Sequence, residues 1–368
     1  MPNQCLECGK SIGFSGVCYR CRAKNQREAY QAMSSEEVEK MVESIISNIE
    51  TIGDWDQVYQ DFNGLLGYHD INTARIAQAA FDKGIFFPAK IYRNASHEVR
   101  DQLLERLFDP ACEEAGHLQV CLALQGDEVV QEAFLKLERN PLPWRSKLYV
   151  NPSVYAHFGG WYFDDRGNRR SLSFERCYTM LSGDSIDQAV KAGQLLEQHC
   201  PHCGCQLIDI LRLDGLDERL SFLKVDGVLA IPICPNCITF TEETFVSYDE
   251  NGRSEIIPYE PFITENYCSA DELLEMNLNQ LTLSAEAVPQ HYASGGDDVI
   301  TIGGLPDWVQ DAQFETCPDC GHTMKFLAAL PWNVLMDGSE GTLYRDLYGL
   351  PHTVPVPSTD IRRLWDEQ

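Results

Sequence analysis

An α+β fold is what this sequence predicts, with a helical layer in the first half and mostly short strands in the second. Three observations carry that expectation. Apolar residues recur at helical spacing from Val38 to Leu137. Past Pro141 the texture changes to aromatics and turn residues. Ten of the fifteen cysteines fall into five Cys-x-x-Cys pairs, a spacing that delivers thiolates to a metal ion.

Taken in chain order, Cys5-x2-Cys8-x9-Cys18-x2-Cys21 forms a small module over residues 1–25, two knuckles joined by a short loop. Four thiolates satisfy a tetrahedral zinc ion, and a segment this short has too little core to fold otherwise, so metal binding and folding are coupled in a zinc ribbon. Ser34 followed by Glu36 and Glu37 is a helix start, and Val38, Met41, Val42, Ile45, Ile46 and Ile49 give the helix one apolar face. Helical patterns then run from Trp55 to Phe62, Thr73 to Asp82, Val99 to Phe108, Cys112 to Leu124 and Val129 to Leu137. Short connections between helices of about three turns predict a HEAT-like layer. It occupies residues 34–182 and ends in a β-hairpin around Arg166-Gly167-Asn168.

Residues 183–199 carry a helical pattern and open the third region, 183–368. From Cys200 onward, apolar segments separated by Gly, Pro and Asp indicate strands, clearest at Val225–Ile233 and Ile238–Tyr248, with a turn at Asp249-Glu250-Asn251-Gly252. Cys200-Pro-His-Cys203 pairs with Cys234-Pro-Asn-Cys237 as a second four-cysteine zinc site, with His202 and Cys205 as substitute ligands. Cys317-Pro-Asp-Cys320 is a third knuckle with no cysteine after it. His322, His291, His352 or Cys268 could complete it, but no third metal is assigned. The expected cofactor is therefore two structural Zn2+ ions.

Sites filled by four thiolates leave no open coordination position for catalysis. The sequence also lacks a Gly-x-Ser-x-Gly elbow, a phosphate-binding Walker loop, a dinucleotide fingerprint and His-Glu-x-x-His. No catalytic residue is assigned and the chain is expected not to be an enzyme. Gly303-Gly304-Leu305-Pro306-Asp307-Trp308 reads as a tight turn with an anchoring aromatic. Arg166, Arg169 and Arg170 beside Trp161, Tyr162 and Phe163 read as an ordinary hairpin, since the net charge of -27 opposes nucleic-acid binding. That charge is uneven: residues 183–368 hold 9 Lys/Arg against 31 Asp/Glu, whereas residues 1–182 hold 20 against 25. Such a surface repels phosphate backbones and attracts basic partners. Without a signal peptide or a long apolar run, a cytoplasmic location and no membrane contact are expected.

The combination of Cys200-Pro-His-Cys203, Cys234-Pro-Asn-Cys237, Gly303-Gly304-Leu305-Pro306-Asp307-Trp308-Val309-Gln310 and Cys317-Pro-Asp-Cys320-Gly-His-Thr-Met324-Lys325-Phe326-Leu327 resembles the bacterial YwqG-like family, over about a third of the chain. That family is associated with polymorphic toxin systems, so the resemblance implies an immunity protein that sterically neutralises a cognate, basic toxin domain. Gly341-Thr342-Leu343-Tyr344 continues the pattern, but residues 346–351 lack the cysteines that relatives carry there. A weaker likeness is to the programmed-cell-death-protein-2 family, which implies an acidic chaperone for a basic client such as a ribosomal protein. Trp161, Trp308, Asp297-Asp298 and Glu242-Glu243 are the candidate anchors for a partner.

Overall fold

In the computed structural model, residues 3–54, 56–182, 188–241, 243–277, 281–296, 299–308 and 312–331 are described, with the backbone of two strands at 342–347 and 353–357. The fold is α+β, with antiparallel sheets. It divides into two units. One comprises Met1–Leu172 with Ser294–Asp297 and Asp307–Gln313, and the other takes the remainder.

The first unit starts with a two-strand hairpin, β1 (Asn3–Gln4) and β2 (Ser11–Ile12), followed by helix α1 (Tyr19–Gln31). The ribbon expected over residues 1–25 thus runs on into a helix that was not expected. Of α1 only Tyr30 is buried, so there is no apolar stripe to reveal it. Tyr30 Oη donates to Asp61 at 2.8 Å. Helix α2 (Ser35–Ser47) opens at Ser34 as expected: Ser34 Oγ accepts from Glu37 N at 3.3 Å and Glu37 Oε2 accepts from Ser34 N at 2.8 Å.

Five helices follow: α3 (Gln57–His69), α4 (Ala74–Asp82), α5 (His97–Leu107), α6 (Ala115–Gln125) and α7 (Glu128–Arg139). Asp56, Ser96 and Asp127 cap α3, α5 and α7 by accepting from Val58, Val99 and Val130 N–H groups at 2.9, 3.2 and 3.0 Å. Helix α6 is the inner element, with Leu118, Gln119, Cys121, Leu122 and Ala123 all buried. It ends at Gly126 with φ +55°, where a Cβ would lie 2.5 Å from the Trp161 indole nitrogen.

Trp161 begins the hairpin of β3 (Trp161–Phe163) and β4 (Arg169–Ser171). It is not the exposed anchor expected from the sequence: it is fully buried, donates to Ala123 O at 2.9 Å, stacks on Phe134 and takes the edge of Phe163. The neighbouring arginines are engaged within the hairpin. Arg170 pairs with Asp164 at 2.8 Å and Arg169 lies over the Trp161 ring at 5.5 Å. Lys90 reaches Ser294 Oγ at 3.1 Å and pairs with Asp307, tying the later segments of this unit to its helices.

The second unit is built on a five-stranded sheet and two three-stranded sheets. The large sheet runs in the order β11 (Leu281–Leu283), β5 (Cys177–Ser182), β12 (Ile300–Gly303), β13 (Lys325–Pro331) and β14 (Thr342–Leu347). Because β5 lies in it, the strands of this unit begin before residue 183. The second sheet holds β6 (Val190–His199), β7 (Gln206–Asp214) and β8 (Val228–Ile233). The third holds β10 (Ser254–Ile256), β9 (Glu243–Tyr248) and β15 (Thr353–Pro357). Helix α8 (Ala270–Asn277) is the one α-helix among its described residues.

Strand β6 corrects the helix expected over 183–199, of which residues 183–187 lie outside the described residues. Leu195, Leu196 and Glu197 favour helix, but Gly193 sits at φ +72° and the segment pairs along β7, so the ladder overrides local propensity. Of the strand expected over Ile238–Tyr248 only Glu243–Tyr248 forms; Cys237–Phe240 is a turn of 3-10 helix. The expected turn after β9 is present, with Asp249 Oδ1 accepting from Asn251 and Arg253 N–H groups, both at 2.9 Å. Gly303 and Gly304 turn as predicted, at φ +71° and +77°, and a Cβ on Gly303 would lie 2.2 Å from Arg176 O. The core joins Ile208, Leu211, Leu213, Leu229 and Ile231 of the β6–β8 sheet to Ile300, Ile302 and Leu327. Among the described residues no helix is long and apolar enough to cross a membrane.

Candidate metal centres

Three turns in this protein share one construction. In each, the first cysteine N–H donates to the carbonyl five residues on, and the glycine after the second cysteine donates back to the first cysteine's carbonyl. For Cys5 the partners are Lys10 O at 2.7 Å and Gly9 N at 3.0 Å; for Cys200, Cys205 O at 2.8 Å and Gly204 N at 2.9 Å; for Cys317, His322 O at 2.9 Å and Gly321 N at 2.8 Å. Gly9, Gly204 and Gly321 have φ of +72°, +73° and +72°, the left-handed conformation a Cβ would oppose.

The first two turns each meet a second Cys-x-x-Cys at the start of a helical segment. Cys18 is the N-cap of α1, and its N–H donates to Cys5 Sγ at 3.2 Å. Cys234 precedes the 3-10 turn Cys237–Phe240, and Cys237 N–H donates to Cys234 Sγ at 3.3 Å. Such N–H groups favour the thiolate form. The result is two groups, Cys5/Cys8/Cys18/Cys21 and Cys200/Cys203/Cys234/Cys237, each with four sulfurs within 4.8 Å of one another. His202 is not in the second group; its ring packs against Tyr259 at 5.3 Å.

The sulfur separations define what these groups can hold. Cys8–Cys18, Cys200–Cys237 and Cys203–Cys234 lie 3.7, 3.6 and 3.5 Å apart. A disulfide needs about 2.05 Å. A tetrahedron with metal–sulfur bonds of about 2.3 Å has edges of about 3.8 Å, so the donor sets fit a four-coordinate ion.

Electrostatics argue in the same direction. Cys18 and Cys8 N–H groups pull the Cys5 thiol down to about 6, whereas the sulfur of Cys18, followed by burial, pushes Cys21 up. In the second centre burial opposes ionisation of Cys200, but Cys203 and His202 N–H groups with Cys237 lower it overall. Burial, then the sulfurs of Cys203 and Cys200, pushes Cys237 up to about 12, and burial raises Cys234. Each set holds a readily ionised thiol beside others that resist adding charge, which is the situation a divalent cation relieves. Tyr259 lies 3.9 Å from Cys200 Sγ, and its hydroxyl stays protonated through burial and the neighbouring sulfurs.

The third turn stands differently. Cys317 is buried and Cys320 exposed, and among the described residues no further ligands group with them. Cys268 lies at the second centre instead. His291 is buried, and His352 lies outside the described residues. Of the other anchors considered, Trp308 is half-buried and Glu243 is exposed at the start of β9, while Asp297, Asp298 and Glu242 lie outside the described residues. A cavity of about 10 Å³ lies beside the second centre, lined by Pro232, Ile233, Cys234, Ile238, Phe245 and Tyr259, room for at most one water.

The site defines a class: a protein with two closed four-cysteine centres in an α+β frame. The chain is 30% identical over 258 residues to a Salmonella typhimurium protein named Uncharacterized protein YpfL, a match covering 69% of this chain. The chain spans 60% of the length of that curated relative. No family model matches the chain, and no solved structure matches it.

Proposed function

We propose that the chain is an immunity protein: a zinc-stapled, acidic binder that docks on a basic bacterial toxin domain and blocks it sterically. The observation that carries the reading is the charge asymmetry, with 31 Asp/Glu against 9 Lys/Arg in residues 183–368, the stretch that contains the second four-cysteine centre. A surface of that sign draws a basic partner at low salt and orients its approach. Zinc is the metal assigned to both centres, because four thiolates at tetrahedral spacing suit it and leave no position for substrate. Its work is therefore structural. Thiolate ligands persist in a reducing compartment, which favours a cytoplasmic location under this reading. The YwqG-like resemblance supplies the toxin association, and the similarity to a Salmonella protein supports a bacterial setting.

Affinity capture on the full chain, from cells expressing it at native level, tests this at low and moderate salt with identification of what co-purifies. A basic toxin domain bound stoichiometrically, with affinity falling as salt rises, is the expected result. Recovery of a ribosomal protein instead would replace the immunity reading with the chaperone reading. A preparation with no partner and a measurable turnover would return the chain to the enzymes.

A further inference from the structure

The overall charge of -27 conceals a local reversal. Residues 1–33, which hold the first four-cysteine group and α1, carry 5 Lys/Arg against 2 Asp/Glu, whereas the rest of the chain carries 24 against 54. Four thiolates on a divalent ion leave an excess of negative charge smaller than this module's excess of cations, so it stays positive when its centre is filled. Both of its acids are already engaged: Glu7 accepts from Asn25 Nδ2 at 2.8 Å, and Glu28 pairs with Lys24 at 3.8 Å. Acids of the next helix, α2, have cations of their own, Lys40 for Glu36 at 2.7 Å and Arg75 for Glu39 and Glu43.

The helix sets these cations in a row. At 3.6 residues per turn, Arg20, Lys24 and Arg27 fall within an arc of about 60° and span about 10 Å of the axis of α1. Arg20 and Lys24 are exposed and Arg27 is half-buried. Tyr19, the first residue of α1, and Phe14, in the loop before it, are 46% and 48% exposed, and Arg22 lies over the Phe14 ring at 5.8 Å. We propose that α1 and the loop before it bind single-stranded nucleic acid, with phosphates along Arg20, Lys24 and Arg27 and a base on the Tyr19 ring. At about 3.4 Å per nucleotide the row matches about three phosphates. The Lys24–Glu28 pair, with both side chains more than half exposed, is weak enough to yield to a phosphate. A run of carboxylates on an acidic protein would meet the same cations but gives the exposed rings nothing flat to stack on, whereas every base has such a face. A membrane surface fits less well, because α1 has no apolar stripe to insert. The acidic remainder of the chain limits the contact rather than forbidding it: its repulsion decays within about 8 Å at physiological salt, so a short strand held on α1 escapes most of it.

The toxin reading rests on residues 183–368 and this surface on residues 1–33, so either can fail alone. Fluorescence anisotropy of the full chain with a labelled oligothymidylate of about eight nucleotides, titrated across a salt series, tests the inference. Metal content and melting are measured on every variant alongside. Arg20→Glu, Lys24→Glu and Arg27→Glu together should weaken binding at least about tenfold at low salt and lower the slope of log K against log salt by about 2, since each single-strand phosphate contact contributes about 0.7. The gentler changes Arg20→Gln and Arg27→Gln should each lower the slope by about 0.7, and Lys40→Glu on α2 should leave it unchanged. Tyr19→Ala should weaken binding about 5- to 150-fold with the slope unchanged, and Tyr19→Phe should restore it. Absence of binding at low salt, or an affinity and slope that survive the three reversals in a protein that keeps its metal, would overturn the proposal. So would equal binding of polyglutamate, which assigns the face to an acidic protein, or equal binding of a DNA duplex with Tyr19→Ala silent.

Discussion

Replacing Cys234 by serine removes one donor from the second centre at a position 2% exposed, inside the cluster that includes Ile208, Ile231 and Ile233. Structural zinc sites bind with apparent energies of about 10–16 kcal/mol. Micromolar free zinc corresponds to about 8 kcal/mol on the same scale, so a zinc ion held there would stabilise the native state by about 2–8 kcal/mol under that condition. The hydroxyl left in the core costs about 1–3 kcal/mol more where it lacks a partner. A unit of this size shifts its melting temperature by about 2–4 °C per kcal/mol, so the transition of the second unit falls by at least about 4 °C. Calorimetry of the full chain at fixed free zinc measures the shift, and a chelator applied to the unaltered protein isolates the zinc share. A shift under about 2 °C, or undiminished zinc content in the variant, would refute the reasoning.

The first unit offers three further tests. Trp161→Ala removes the hydrogen bond to Ala123 O and the stacking on Phe134, and should cost about 3–5 kcal/mol in urea unfolding. Gly159→Ala places a Cβ 1.9 Å from Ala123 O, a backbone atom of α6 that cannot step aside, so a loss of about 1–3 kcal/mol or more is expected by the same assay. Burial holds His157 neutral and lowers it from 6.5 to about 4. The unfolded chain therefore takes up the proton first: the contribution is whole above about pH 6.5, declines as pH falls, and is lost on passing through about 4. That decline should amount to roughly 2–3 kcal/mol, and unfolding curves for His157→Gln should be flatter across the same window.

How much of this was legible in the sequence depends on how local each feature is. The two four-cysteine groups could be read because a knuckle is closed by bonds within six residues, Cys5 to Lys10 and Cys200 to Cys205, and spacing alone fixes that geometry. Helices α2 to α7 announced themselves through apolar periodicity and through caps such as Ser34. Helix α1 did not, since a single buried tyrosine leaves no stripe to detect. Strand β6 was misread because Leu195, Leu196 and Glu197 say helix, and only pairing with β7 says otherwise. Trp161 looked like a surface anchor because its partners, Ala123 and Phe134, come from helices far back in the chain.

The discontinuity of the first unit bears on how the protein is made. Its helices are complete by Leu172, yet Ser294 and Asp307, the partners of Lys90, belong to the same unit and leave the ribosome much later. At about 5–20 residues per second, roughly 7–30 s separate emergence of Leu172 from emergence of Gln313. During that interval the nascent chain must host the growing second unit while the Lys90 ammonium stays hydrated. Cutting the gene at residue 172 would part Lys90 from Ser294 and Asp307, so a first-unit fragment would lack both partners of that ammonium.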